Sequence, residues 1–176
     1  MRVLISGPAG SGKTTQAKNL AKNLNICFFG AGEIFRKKSL EDSEIGKSLK
    51  KDLAEGNLVD NKIASQLLKE EIEQSNCSNG FVIDGYPRDI EQLQYFDPNF
   101  DKVIVLEVSK ETLIKRLLKR GRFDDTKEAI EERLRIYEEE TKAVLDYYQT
   151  LGIIVKIDGE KNMEEISEEI EKKLNE

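Results

Sequence analysis

Residues 7–15, GPAGSGKTT, fit the spacing G-x-x-x-x-G-K-[ST] and lie between an apolar run, RVLIS at 2–6, and a helix-forming stretch, TTQAKNLAKNL. A strand that enters such a loop and leaves it as a helix must turn sharply, and Gly7, Gly10 and Gly12 permit the turn. The loop's N–H groups then point inward at phosphate oxygens, with the helix dipole behind them. Lys13 brings a charge to the β- and γ-phosphates, and Thr14 offers a hydroxyl to Mg²⁺. An ordinary glycine-rich turn before a helix is the plainer alternative, but strand, spacing and helix all agree with a phosphate cradle. The loop specifies a nucleoside triphosphate and leaves open what receives the phosphate.

Four further apolar runs read as strands: ICFF at 26–29, FVID at 81–84, KVIVLEV at 102–108 and IIVKI at 153–157. They lack clean polar alternation, as strands covered on both faces do. Between them, Ile45, Leu49 and Leu53 recur at helical spacing, as do Ile130, Leu134, Tyr137, Val144 and Tyr148, and then Met163, Ile166, Ile170 and Leu174. Alternating strands and helices predict a three-layer α/β fold of the P-loop kind, with a five-stranded parallel sheet. There are no internal repeats and no low-complexity linker, so residues 1–176 read as one domain. In such folds ligands sit beyond the carboxyl ends of the strands.

Composition removes several function classes. The 176 residues contain no histidine, and the two cysteines, Cys27 and Cys77, have no metal-like spacing. That argues against zinc, histidine acid–base chemistry and a Ser/His/Asp triad. Both cysteines read as reduced packing residues. A net charge of −6 argues against a general nucleic-acid binder. No apolar run approaches the ~20 residues of a membrane span, and the start of the chain lacks the pattern of a secretory leader. The expected location is the cytoplasm.

The third strand runs into DGYPRDIEQ, 84–92. Asp84 at its end suits a water of the Mg²⁺ shell, Gly85 and Pro87 shape a turn, and Arg88 leaves it as a phosphate clamp. Gln92 has an amide that pairs with a base edge as donor and acceptor. A strand, a D-G turn and a solvated helix start would explain the same residues. The arginines favour the clamp. The chain has 8 arginines against 20 lysines, and planar two-point phosphate recognition is where arginine outperforms lysine. Arg36 follows the second strand, Arg88 the third, and Arg116, Arg120 and Arg122 the fourth, with Arg133 on the long helix. Only Arg2 and Arg135 fall outside that pattern.

With these residues in view the chain resembles the adenylate kinases, within the nucleoside monophosphate kinases. The resemblance rests on GPAGSGKTTQA, GAGEIFR, GNLVD, GYPRDIEQ, KRLLKRGRFDD, IEERLRIY and IVKIDG, and runs through nearly the whole chain. It implies phosphoryl transfer between ATP and AMP, with Mg²⁺ and no zinc, in a monomer. ATP would lie on Gly10, Ser11, Gly12, Lys13, Thr14 and Thr15, its adenine near Arg116, Arg120 and the backbone around Lys156. AMP would lie in a helical NMP-binding insertion, about 30–59, at Ala31, Gly32, Arg36, Asn57, Leu58 and Val59. Gly85, Arg88 and Gln92 would complete that site. Arg122 and Arg133, with Lys13 and Arg88, would act on the phosphoryl group in transit. Thr14 and Asp84 would hold Mg²⁺, largely through water. Asp124 and Asp125 would orient Arg122 and Arg133.

Three departures from the family pattern stand out. Thr14 replaces a usual glycine, Ala31 a usual threonine, and only Gly121 separates Arg120 from Arg122, which cuts the lid to about 120–126. Where the related UMP/CMP kinases typically have asparagine this chain has Gln92, so the resemblance implies a preference for AMP over UMP or CMP. The other readings are a kinase with a different small acceptor and a nucleotide-dependent switch without catalysis. The switch leaves the second set of arginines without a purpose.

Overall fold

Strand β1 (Arg2–Ser6) sends Val3 and Ile5 into one core and Leu4 into another, so its uninterrupted apolar run reflects burial on both faces. The computed structural model describes residues 1–175. Helix α1 (Lys13–Leu24) leads to β2 (Cys27–Gly30), then α2 (Ala31–Lys38), α3 (Glu44–Glu55) and α4 (Asn61–Gln74). After β3 (Phe81–Asp84) come the single-turn α5 (Gln92–Tyr95), β4 (Lys102–Glu107) and α6 (Lys110–Arg120). Helix α7 (Lys127–Ile136), a π-helical turn (Tyr137–Thr141) and α8 (Lys142–Thr150) form one rod, followed by β5 (Ile154–Asp158) and α9 (Met163–Leu174).

The sheet order is β2-β3-β1-β4-β5, with every pairing parallel. Helices α1 and α9 cover one face with Ala17, Leu20, Ile166 and Ile170. Helices α2, α3, α4 and α8 cover the other with Phe35, Leu49, Leu68 and Tyr148. A third cluster, Leu113 and Leu117 against Ile130 and Leu134, joins α6 to α7. Burying a leucine or isoleucine contributes roughly 1.5–3 kcal/mol each, and these clusters hold the layers together.

All five expected strands are present, with small shifts at the ends: β2 extends through Gly30, β4 stops at Glu107, and β5 runs Ile154–Asp158. Two stripe positions face solvent, Ile45 and Met163, because each lies in the first turn of its helix.

The expectation of reduced cysteines is wrong. Cys27 and Cys77 form a disulfide with Cα atoms 5.7 Å apart. Pairing of β2 with β3, in which Cys27 stands opposite Phe81, brings the start of β2 beside the loop entering β3. That proximity belongs to the sheet and not to the 50-residue spacing.

Candidate active site

At the carboxyl edge of the sheet, Gly10 and Gly12 adopt φ of 87° and 89°. At Gly10 a Cβ would stand 2.9 Å from Leu117 Cγ, so the loop needs glycine there for space as well as for conformation. Lys13 Nζ donates to Pro8 O at 3.2 Å, folding back over the loop, and Ser11 Oγ is buried with no partner. Thr15 is exposed on the first turn of α1.

The register of β1 against β3 sets Asp84 beside Ile5. Thr14 Oγ1 therefore reaches across the sheet edge and donates to Asp84 Oδ2, while Asp84 Oδ1 is buried without a partner. A hydroxyl beside a carboxylate with an unused buried oxygen is a donor set that suits a small hard cation such as Mg²⁺.

The loop after β3 brings Gly85, Arg88 and Gln92 together. Arg88 Nε donates to Gly85 O at 3.0 Å. Gln92 is 3% exposed, and its Oε1 accepts the Arg88 N–H at 2.8 Å. The amide expected to present donor and acceptor together thus has its oxygen engaged within the loop, and Nε2 is the group without a partner among the described residues. Tyr86 Oη donates to Phe96 O at 2.7 Å and contacts Ser65 Oγ at 2.9 Å, tying the loop to α4.

One cleft collects Lys13, Arg36, Arg88, Arg120, Arg122 and Arg133. Its other walls include Gly32, Asn57, Leu58 and Val59. Ala31, in the first turn of α2, is buried beneath them. Arg36 folds back over its own helix, so that a Cβ at Gly32 would stand 3.1 Å from Arg36 Nη2.

The two acidic residues after Arg122 divide their work. Asp125 accepts from Arg120 Nε at 2.8 Å and Arg120 Nη2 at 2.5 Å, and from Arg133 Nη1 at 3.0 Å. Asp124 accepts from Arg133 Nη2 at 2.7 Å and lies 3.7 Å from Arg36 Nη1. The expectation that this pair orients the Arg122 side chain needs correction. Asp125 takes the Arg122 backbone N–H at 3.1 Å, and among the described residues the Arg122 guanidinium has no acceptor. Among the described residues Arg88 likewise has no carboxylate within ion-pair distance, its Nε donating to Gly85 O.

Burial first, and the crowding of cations after it, show in the titration behaviour. Burial pulls the Lys13 ammonium down to about 8, Asp84 opposes this, and Arg88, Arg120 and Arg122 add to it. Burial, with Arg122 next, brings Arg36 down to about 10. Burial also raises the Asp125 carboxyl, but Arg120, the Arg122 N–H and Arg133 outweigh it and hold the group at about 2. Cations that depress one another in a cleft form a site awaiting a multivalent anion.

Arg116 and Lys156, like Gly10, Ser11, Gly12, Thr15 and Ala31, do not line this cleft. Lys156 lies mid-strand in β5, and its ammonium pairs with Glu107 at 2.9 Å. Arg116 donates to Gly159 O at 3.2 Å. That contact points to the segment after β5. Gln16 donates to Met163 O at 2.9 Å, and Met163 Sδ lies 3.7 Å from where a Gly12 Cβ would be. The stretch 159–163 therefore ends beside the phosphate loop, with Met163 against Gly12. The IDG in 157–159 was the only sequence signal for it.

The sequence profile of the family described as Adenylate kinase matches residues 5–153. The chain belongs to the adenylate kinase family. An adenylate kinase of Corynebacterium urealyticum is 39% identical, covering 96% of both chains. One of Bifidobacterium longum is 38% identical over 95% of this chain and 96% of its own. One of Caldanaerobacter subterraneus subsp. tengcongensis is 34% identical over 99% of this chain and 96% of its own. The last alignment spans 212 positions, more than this chain has residues, so that member carries residues with no counterpart here. Here only Gly121–Thr126 joins α6 to α7, and Thr126 caps α7 by accepting the Ala129 N–H at 3.2 Å.

Proposed function

We infer that this family member moves the γ-phosphoryl group of ATP to AMP, reversibly, giving two ADP. One observation carries the reading beyond the family match. The phosphate loop and Arg88 face each other across one cleft, and Arg88 and Arg122 enter it with no carboxylate partner among the described residues. A binding switch needs one such pocket; a phosphotransferase needs two that meet.

Phosphoryl transfer asks little covalent chemistry of a protein. It needs in-line placement and cations where charge gathers on the equatorial oxygens. In this reading the loop amides of Gly10–Thr15 and Lys13 hold the donor, and 159–163 with Arg116 and Arg120 borders its base. Arg36 and Arg88 hold the acceptor's phosphate, with Gly32, Ala31 and Asn57–Val59 shaping the pocket. Gln92 reads the acceptor's base. Arg122 supplies an uncommitted charge, and Arg133, fixed by Asp124 and Asp125, supplies an oriented one. Thr14 and Asp84 would hold Mg²⁺, which when bound neutralises phosphate charge and orients the donor.

Residues 30–59 would act as the acceptor arm and 120–126 as a reduced lid, on a single working chain. ATP and AMP are nucleotides of the cell interior, which supports a cytoplasmic enzyme, and among the described residues no helix is long and apolar enough to cross a membrane.

The test is a coupled assay of ATP with AMP, CMP, UMP or GMP, reading the nucleoside diphosphate formed. AMP should be preferred by at least about tenfold in kcat/KM. Preference for a pyrimidine would overturn the acceptor, and nucleotide binding with no diphosphate formed would overturn the reaction.

A further inference from the structure

Arg88 is held at three points. Its N–H donates to Gln92 Oε1 at 2.8 Å, its Nε donates to Gly85 O at 3.0 Å, and its carbonyl accepts Thr141 Oγ1 at 3.1 Å. The first two contacts lie within the loop. The third comes from the far end of the π-helical turn.

Thr141 is 4% exposed. A threonine inside a helix ordinarily returns its hydroxyl to a carbonyl one turn back. Thr141 directs it across the domain to Arg88 instead. The π turn supplies a reason. At about 100° per residue, Arg133 and Thr141 would fall roughly 80° apart around a continuous α-helix. The extra residue taken up by the wider turn removes most of that offset. One rod thereby sends Arg133 to Asp124 and Asp125 and Thr141 to the acceptor loop. A small internal space marks the junction, lined by Gly7 and Lys13, by Gly85 and Arg88, and by Tyr137 and Thr141.

We propose that Thr141 is a positioning residue for the acceptor: its hydroxyl fixes the Arg88 backbone so that the guanidinium meets the acceptor phosphate in line with the donor. This rests on the reading of Arg88 as the clamp for the AMP phosphate. The geometry makes the π turn a functional part of the rod, because without its phase shift Thr141 would face elsewhere. A clamp displaced by a fraction of an ångström loses alignment before it loses its fold.

The experiment compares Thr141→Val, which keeps the shape and removes the donor, with Thr141→Ser, which keeps the donor. Kinetics are measured with ATP and AMP varied in turn, alongside thermal unfolding, and each variant is also made in an Arg88→Ala background. Thr141→Val should lower kcat/KM for AMP at least about tenfold and leave KM for ATP within about twofold. Thr141→Ser should recover most of the loss, and Thr141→Val should add nothing once Arg88 is alanine. If Thr141→Val folds poorly, Thr141→Cys carries the same test with a weaker donor and an intermediate loss. Normal AMP kinetics for Thr141→Val beside an impaired Arg88→Ala would overturn the positioning role alone, as would additive losses in the double variant. Normal AMP kinetics for Arg88→Ala would instead remove the reading of Arg88 on which the proposal stands.

Discussion

Gly56 lies directly against Ala129: a Cβ built on Gly56 would stand 2.5 Å from Ala129 O and 2.9 Å from Ala129 Cα. Beside this contact Arg133 Nη2 donates to Leu53 O at 3.2 Å. The end of α3, in the proposed acceptor arm, therefore sits on the start of α7 with nothing between them. With so few residues joining α6 to α7, this backbone contact bridges the two sides of the cleft.

Gly56→Ala tests that bridge. The position has φ of 78°, where a side chain is strained by about 1–2 kcal/mol, and the added methyl must push α3 off α7. Stability should fall by about 2 kcal/mol in denaturant titration, and KM for AMP should rise at least about fivefold. An unchanged KM for AMP would show that the contact has no part in the acceptor site.

Arg88→Ala and Arg122→Ala should each lower kcat by at least about a hundredfold, or about 2.7 kcal/mol of barrier. Both should keep their melting temperature nearly unchanged, since neither guanidinium holds an ion pair among the described residues. Arg133→Ala differs. It strips partners from Asp124 and Asp125 and should also destabilise by about 3 kcal/mol. Near-normal turnover in Arg88→Ala or Arg122→Ala removes that residue from the mechanism.

Lys13 makes ATP binding depend on pH. Its ammonium titrates at about 8 in the free protein, and bound phosphate favours the charged form. Affinity for ATP should be flat below pH 8 and fall above it, with proton uptake on binding near pH 9. The stability sign is the reverse of a salt bridge. The folded pKa lies below the ordinary 10.5, so the unfolded chain binds more protons between about 8 and 10.5. The Lys13 penalty is then complete below pH 8 and is relieved as pH rises through that window. Calorimetric titration with ATP at pH 9 in two buffers of different ionisation heat reads the proton directly; equal heats would refute the assignment.

Reduction of the Cys27–Cys77 bridge, or Cys77→Ser, should destabilise by about 4 kcal/mol in the chain-entropy account of a loop of this length. That corresponds to a melting temperature lower by about 10 °C. Turnover at moderate temperature should not change, because Cys27 lies at the start of β2 and the cleft at the opposite ends of the strands. A melting curve indifferent to reductant would show that the bridge contributes nothing to the fold.

Much of this molecule is legible from its chain. RVLIS followed by GPAGSGKTT dictates a strand, a phosphate cradle and a helix, because local glycine geometry and apolar patterning need no distant partner. The parallel sheet follows from apolar runs alternating with helical stripes, and the arginines after the second, third and fourth strands announce an anion site. Tertiary structure alone decided which of those arginines stay unpaired, because ion pairing depends on what α7 brings to residues 120–125. It turned the Lys156 ammonium to Glu107 and set Met163 beside the phosphate loop, since successive strand side chains point to opposite faces of the sheet. It joined Cys27 to Cys77 through the pairing of β2 with β3, and it sent Thr141 to Arg88 through a helical turn one residue too wide. Each of these depends on distances between segments far apart in sequence, which no local spacing encodes.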